Sequence, residues 1–180
     1  MHYSTEIFGP QYVVVMDFLQ HLAFYRSVKV ELDKQTVKSN FWAMTCNAHL
    51  EAAILDWCKV FGSVGPNPTH WKKTAGQTPE AAQEEFREIV FIKTGFKKPD
   101  WDNYHEQMRT FRDSYVAHLD VAKIPPVPLL DQALKVAFAY DQWIRKQIEP
   151  SIIDGPRLEQ LYDKWLTEAH AIVSKAIQHQ

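Results

Sequence analysis

Residues 15–25, VMDFLQHLAFY, decide the fold class. Val15, Phe18, Leu19, Leu22 and Tyr25 recur at i, i+3, i+4 and i+7, a spacing that collects on one face of an α-helix and on no face of a strand. The helix they define runs from Gln11, just after Gly9-Pro10, to about Lys34. The same period returns along the rest of the chain. Ser39 or Asn40 caps a second helix ending near Phe61, with a stripe of Phe41, Met44, Ala48, Ile54, Leu55 and Cys58 and with Gly62 as its stop. Thr78-Pro79-Glu80 reads as a cap, a proline at the first helical position and an acid in the first turn, opening a third helix that Gly95 ends. Asp100 caps a fourth helix, about 100–120, whose buried side is Trp101, Tyr104, Met108, Phe111, Tyr115 and Leu119.

Three prolines between Val121 and Pro128 interrupt the helical pattern. A fifth helix follows from about Leu129 to Ile148, carrying Leu130, Leu134, Phe138 and Trp143. Beyond Pro150 and Gly155-Pro156, a last one runs from about Arg157 to Ile177 through Leu158, Leu161, Trp165, Ala169 and Val173. No useful strand alternation, repeat or low-complexity segment is present. The expected architecture is therefore all-α, a bundle of about six helices in one domain spanning 1–180.

Composition narrows the function classes. The chain has 180 residues, 46% of them hydrophobic and 13% aromatic, enough for a core without staples. A formal charge of −2 argues against a generic nucleic-acid coat but leaves room for a local basic site. Cys46 and Cys58 lie on one expected helix about 18 Å apart, beyond disulfide reach, so both read as reduced core residues of a cytoplasmic protein. The start, MHYSTEIFGPQ, has no signal-peptide pattern, and the apolar run from Tyr12 to Met16 is too short to span a bilayer, so no membrane partner is expected. His21 reads as an exposed or capping histidine. His49 and Cys46 are three apart, but two ligands do not make a metal site, and no metal or cofactor is expected.

Two stretches carry chemistry. In the loop 62–78, GSVGPNPTHWKKTAGQT, Trp71 stands beside Lys72 and Lys73. Such a trio can stack on a base and meet phosphate in single-stranded nucleic acid, or it can pin the loop to the core and leave the lysines in solvent. The second stretch is 108–120, MRTFRDSYVAHLD, which places Arg112, Asp113 and His118 at a helix end. On an α-helix His118 stands about 120° around from Arg112 and about 9 Å further along. Arg109 can pair with Asp113 at i, i+4, and Ser114 shares a face with His118. A Ser114–His118 nucleophile pair makes a poor hydrolase, because it has no strained elbow and no oxyanion donors. A permanent cation beside a proton-handling histidine suits phosphodiester cleavage without metal. RNA is the natural substrate, since its 2′-hydroxyl supplies the nucleophile that DNA lacks. One Arg and one His are few for both proton roles, and a two-fold homodimer would supply two of each.

Spacing alone has little force, since an Arg followed five to seven residues later by a His is expected about once by chance in a chain of this composition. Its context adds weight. Arg112, the polar Asp113 and His118 after five intervening residues, in an all-α aromatic-rich chain, resemble the HEPN superfamily. The text AHLD (117–120), the helix end DWCKVFG (56–62) and the loop segment THWKK (69–73) are similar to its abortive-infection branch. The resemblance covers helices two to five. Asp113 stands where Asn is commoner, which brings a negative charge near the scissile phosphate.

The resemblance implies a metal-independent endoribonuclease active as a homodimer, a toxin or antiviral effector, with RNA and a cognate antitoxin protein as partners. Arg112 would stabilise the phosphate, His118 would handle protons and Asp113 would orient one of them. Arg109, Tyr115, Trp71, Lys72 and Lys73 are the expected RNA contacts. The alternatives are a non-catalytic helical binding or dimerisation module in a toxin–antitoxin or defence system, and a toxin acting on a nucleotide or protein.

Overall fold

A computed structural model of the chain describes residues 5–35, 39–65, 67–74, 78–117, 125–148 and 153–178. They form α1 (Thr5–Lys34), α2 (Asn40–Phe61), a 3-10 turn (Trp71–Lys73), α3 (Glu80–Thr94), α4 (Lys98–Phe111), a π-helical turn (Arg112–Ala117), α5 (Leu130–Gln147) and α6 (Leu158–Gln178). No strand occurs among the described residues, and the all-α single-domain expectation holds. Helix α1 is the central element: α2 and α6 pack along it, and α3 packs on α5. Its stripe of Val15, Phe18, Leu19 and Leu22 is fully buried, as its spacing requires.

Several helix boundaries and faces differ from expectation for local reasons. Helix α1 begins at Thr5 and runs through Gly9-Pro10. Burial of Phe8, whose ring meets Tyr12 at 5.5 Å, holds the turn before the proline in place. On α2 the expected stripe is partly rotated: Phe41 and Met44 are 63% and 73% exposed, and Leu55 also reaches solvent. The buried face is instead Cys46, Leu50, Ala53, Ile54, Trp57, Val60 and Phe61, a continuous i, i+3, i+4 row. Thr78 does not cap α3. Its hydroxyl donates to Trp71 O at 3.2 Å, and the helix starts after Pro79. Asp100 stands three residues inside α4 and accepts the Lys97 N–H at 2.9 Å, so Lys97 takes the cap position. Gly95 ends α3 at φ +76, the left-handed conformation that favours glycine. Leu119, Pro150 and residues 121–124 lie outside the described residues.

The core is aromatic. Trp57, Phe61, Phe86, Tyr140 and Trp143 are fully buried, with Phe86 5.3 Å from Trp143 and Phe61 5.7 Å from Tyr140. Cys46 and Cys58 are free, buried thiols, as expected. Two buried polar groups tie helices to one another. Asp141 on α5 accepts from Tyr12 of α1 (2.9 Å), Arg145 (2.8 Å) and the Leu158 N–H that opens α6 (3.2 Å). Gln11, with no exposed surface, donates Nε2–H to His70 O at 2.9 Å, and its Oε1 accepts from Tyr140 (2.8 Å) and Thr74 (3.0 Å). One amide thus clamps the 70–74 segment onto α1 and α5. Replacing Gln11 by leucine, close in volume but unable to hydrogen bond, leaves the buried Tyr140 hydroxyl without its acceptor, while His70 O keeps the Lys73 N–H and Thr74 keeps Trp71 O. The expected cost is about 1–3 kcal/mol. Urea unfolding of Gln11→Leu checks this, and an unchanged midpoint would contradict the clamp.

Candidate functional site

The site is built on the C-terminal end of α2, where unpaired carbonyls carry the negative end of the helix dipole. Gly62 is required there, since a Cβ would come within 2.4 Å of Cys58 O. Two imidazoles use these open carbonyls. His105 of α4 donates Nε2–H to Phe61 O (2.8 Å) and Gly62 O (3.1 Å), and His70 donates Nε2–H to Gly62 O (3.1 Å). A carbonyl can only accept, so both rings carry their proton on Nε2. His70 also accepts the Lys72 N–H on Nδ1 at 3.1 Å, which starts the 3-10 turn. It is buried and committed at both nitrogens. Burial pulls its pKa down to about 4, outweighing its bond to Gly62 O. His105 is half-buried, and among the described residues its Nδ1 has no partner.

The 3-10 turn sends its residues in different directions. Trp71 belongs to the core, 4.5 Å from Phe86 and edge-on to Trp143 at 6.1 Å. The expected stacking of Trp71 on a base is therefore not offered; the tryptophan anchors the loop. Lys73 donates to Gly65 O at 3.0 Å and braces the loop. Lys72 alone turns over the Trp71 ring, its Nζ 5.5 Å from the centroid, and its pKa is lowered by burial and by nearby Arg87, against a smaller opposing pull from Glu80.

A cleft of about 720 Å³ opens between this loop, α3 and α4. Among the described residues, Lys72, Arg87, Lys98 and Arg109 line it against a single carboxylate, Asp102, with His105 and Trp101 on the same wall. Three of the cations hold exposed carboxylates: Arg87 with Glu80 (2.9 Å), Lys98 with Asp102 (2.6 Å) and Arg109 with Glu106 (3.2 Å). Exposed pairs of this kind are weak and exchange readily for a stronger anion. Among the described residues, the buried Nε of Arg109 has no hydrogen-bond partner.

Helix α4 carries the site onward. His105, Arg109 and Arg112 fall at i, i+4 and i+7 and form one stripe about 10 Å long. At Arg112 the winding widens into the π-helical turn, a feature that gathers at functional positions. Arg112 is 24% exposed and donates to Asp113 Oδ1 from Nε at 2.7 Å. It lines a second pocket of about 480 Å³ with Cys58, Lys59 and Ser63, and Ser63 also forms part of the cationic cleft. The Cys58 thiol beside it is pushed up to about 12 by burial, with Arg112 opposing. The expected Arg109–Asp113 pair does not form. The π winding takes Asp113 off the α-helical i, i+4 position, and its sequence neighbour Arg112 captures it. Tyr115 packs on Phe111 at 4.9 Å, away from the cleft. His118, and with it the Ser114–His118 pair, lies outside the described residues.

Of the expected site residues, the structure thus brings Arg109, Lys72 and the edge of Trp71 to one cleft and sets Arg112 and Asp113 next to it. It adds His105, Arg87 and Lys98, which the sequence reading passed over. The His105–Arg109–Arg112 spacing was a legible signal for the first of these; Arg87 and Lys98 reach the cleft only through tertiary packing. Away from the site, His21 is neither free nor a cap: its Nδ1 lies 2.9 Å from Nδ1 of His49, between α1 and α2. Burial, and then His21, lower the pKa of His49. Cys46 lies by Tyr25 O rather than with His49. Among the described residues no three His, Cys, Asp or Glu side chains converge as metal ligands, and no helix is long and apolar enough to cross a membrane.

Comparison of the chain with protein-family models, curated proteins and solved structures finds no match. The site must therefore be judged on its own geometry.

The buried His70 gives a pH signature. Folded His70 stays neutral down to about pH 4, whereas in the unfolded chain it takes up a proton near pH 6.5. Between those values the unfolded state binds more protons, so stability falls as pH drops through this window, by on the order of 3 kcal/mol at its acid end. An NMR titration of the His70 ring is expected to show a midpoint near 4; a midpoint of 6 or above would contradict the buried, doubly bonded imidazole.

Proposed function

We propose that the chain is a metal-independent endoribonuclease of the HEPN type, acting as a homodimer and serving as a toxin or antiviral effector. The observation that carries this reading is the placement of Arg112. It stands half-buried on the π-helical turn that ends α4, opens on a surface pocket, and continues a stripe of cationic side chains from the adjoining cleft. A guanidinium in that position supports a phosphate-binding role, because it is permanently charged and presents a fork of donors matched to phosphate oxygens.

In the proposed reaction one His118 removes the proton of an RNA 2′-hydroxyl. The oxygen then attacks the adjacent phosphorus, forming the P–O2′ bond. Arg112 balances the added charge on the phosphorane. The P–O5′ bond breaks as the departing 5′-oxygen takes a proton from the His118 of a second copy, leaving a 2′,3′-cyclic phosphate. Asp113, which now holds Arg112, orients the guanidinium and must yield part of it to the substrate. The strand would continue along Arg109 and Lys72. A cognate antitoxin protein would then act by covering this stripe.

The Arg112–Asp113 pair also favours a second reading, a non-catalytic binding or dimerisation module in which the two charges merely satisfy each other. Cleavage separates the two. Purified protein in EDTA is expected to cut a mixed RNA pool and leave cyclic-phosphate ends, while His118→Ala and Arg112→Ala lower the rate by about 100-fold or more. Absence of cleavage by folded, dimeric protein would reject the enzyme and leave the binding module.

A further inference from the structure

The cationic cleft contains a feature that simple anion binding does not require. His105 commits Nε2–H to Phe61 O and Gly62 O, so the neutral ring offers Nδ1 as an acceptor only. An acceptor cannot bind a phosphate oxygen. It suits a ligand that carries a hydroxyl beside its phosphate. The four cations around it, three of them held only by exposed pairs with Glu80, Asp102 and Glu106, set the phosphate requirement. Lys72, which burial and Arg87 both disfavour as a cation, is relieved by an incoming anion. Arg109 holds a buried Nε that has no partner among the described residues. Trp101, half-buried on the cleft wall with His105 at 5.9 Å, is the aromatic available to a base, in place of the core residue Trp71.

We infer that the cleft is a ribose-reading subsite for single-stranded RNA, in which Lys72 and Arg109 hold a backbone phosphate and Nδ1 of His105 accepts the hydrogen bond of a neighbouring 2′-hydroxyl. The inference rests on the RNA reading of the Arg112 site but not on cleavage. The subsite tells RNA from DNA at a position away from the scissile bond. Its discrimination comes from the backbone carbonyls at the end of α2, which set the tautomer of His105.

The test is fluorescence anisotropy at pH 8 in EDTA with labelled single-stranded RNA and DNA of one sequence. The full-length chain carries His118→Ala, so that bound RNA stays intact. The expected result is RNA bound roughly fivefold tighter than DNA, the worth of one neutral hydrogen bond. Lys72→Gln and Arg109→Gln should each weaken both ligands roughly tenfold. His105→Ala should remove the RNA preference and leave DNA binding near its original strength, a split that general loss of structure would not produce. Because His105 also braces Gly62, a second measurement keeps the original ring. RNAs with one 2′-deoxy position each, walked along the strand, should lose the preference at a single position. Equal binding of RNA and DNA, a preference that survives His105→Ala, or a preference spread evenly over all positions would overturn the subsite. RNA binding with the expected preference but no cleavage by the unsubstituted chain would sink the nuclease and leave the subsite standing.

Discussion

The buried amide of Gln11 is the constraint on which the rest of this molecule depends. The segment after α2 is rich in glycine, proline and polar residues and has little intrinsic structure, yet it forms one wall of the candidate site. It is held because Gln11, buried on α1 where it meets α5, hydrogen-bonds His70 O, Thr74 and Tyr140 together. Burial of Trp71 against Phe86 fixes the same segment from its apolar side. The carbonyl of Gly62 then accepts from His70 and His105, which joins the loop to α4. A buried polar network of this kind stabilises only when every member is satisfied, so positioning of the cleft and stability of the core are one property here.

Much of the fold was legible in the sequence, because periodicity reports which face a helix must bury. Val15, Phe18, Leu19 and Leu22 announced α1, and Ser39, Gly62 and Gly95 marked helix ends where they stand. What failed were decisions made by tertiary partners. Phe41 and Met44 are apolar and suitably spaced, but α1 packs against the neighbouring row, so both face solvent. Thr78 has the right identity for a cap and gives its hydroxyl to Trp71 O instead. Local preferences of this size yield readily to a buried hydrogen bond.

The site was legible in a different measure. Arg109, Lys72, Arg112 and Asp113 were each singled out by residue type, and the structure sets the first two in one cleft and the other two beside it. Trp71 was read with two fates, and its burial selects the anchoring one. His105 escaped notice because its role is created by carbonyls more than forty residues away in the chain. The π-helical turn was likewise invisible to a periodicity argument that assumes 100° per residue, and it is this turn that pairs Arg112 with Asp113 and leaves Arg109 to the cleft. A chain of net charge −2 thus brings four cations to one opening, three of them in exposed pairs with Glu80, Asp102 and Glu106 that an incoming anion can displace. Such local focusing, rather than bulk charge, supports binding of a polyanion.

The central claim is that RNA lies along the stripe from His105 through Arg109 to Arg112. It is tested most directly by photo-cross-linking a 4-thiouridine-substituted single strand to the full-length chain carrying His118→Ala, and identifying the attached peptides. The account predicts cross-links concentrated in 98–117 and in the 62–74 loop, competed by unlabelled RNA and reduced by Arg109→Gln. Cross-links spread over the surface, or concentrated on the α1–α6 face, would contradict it.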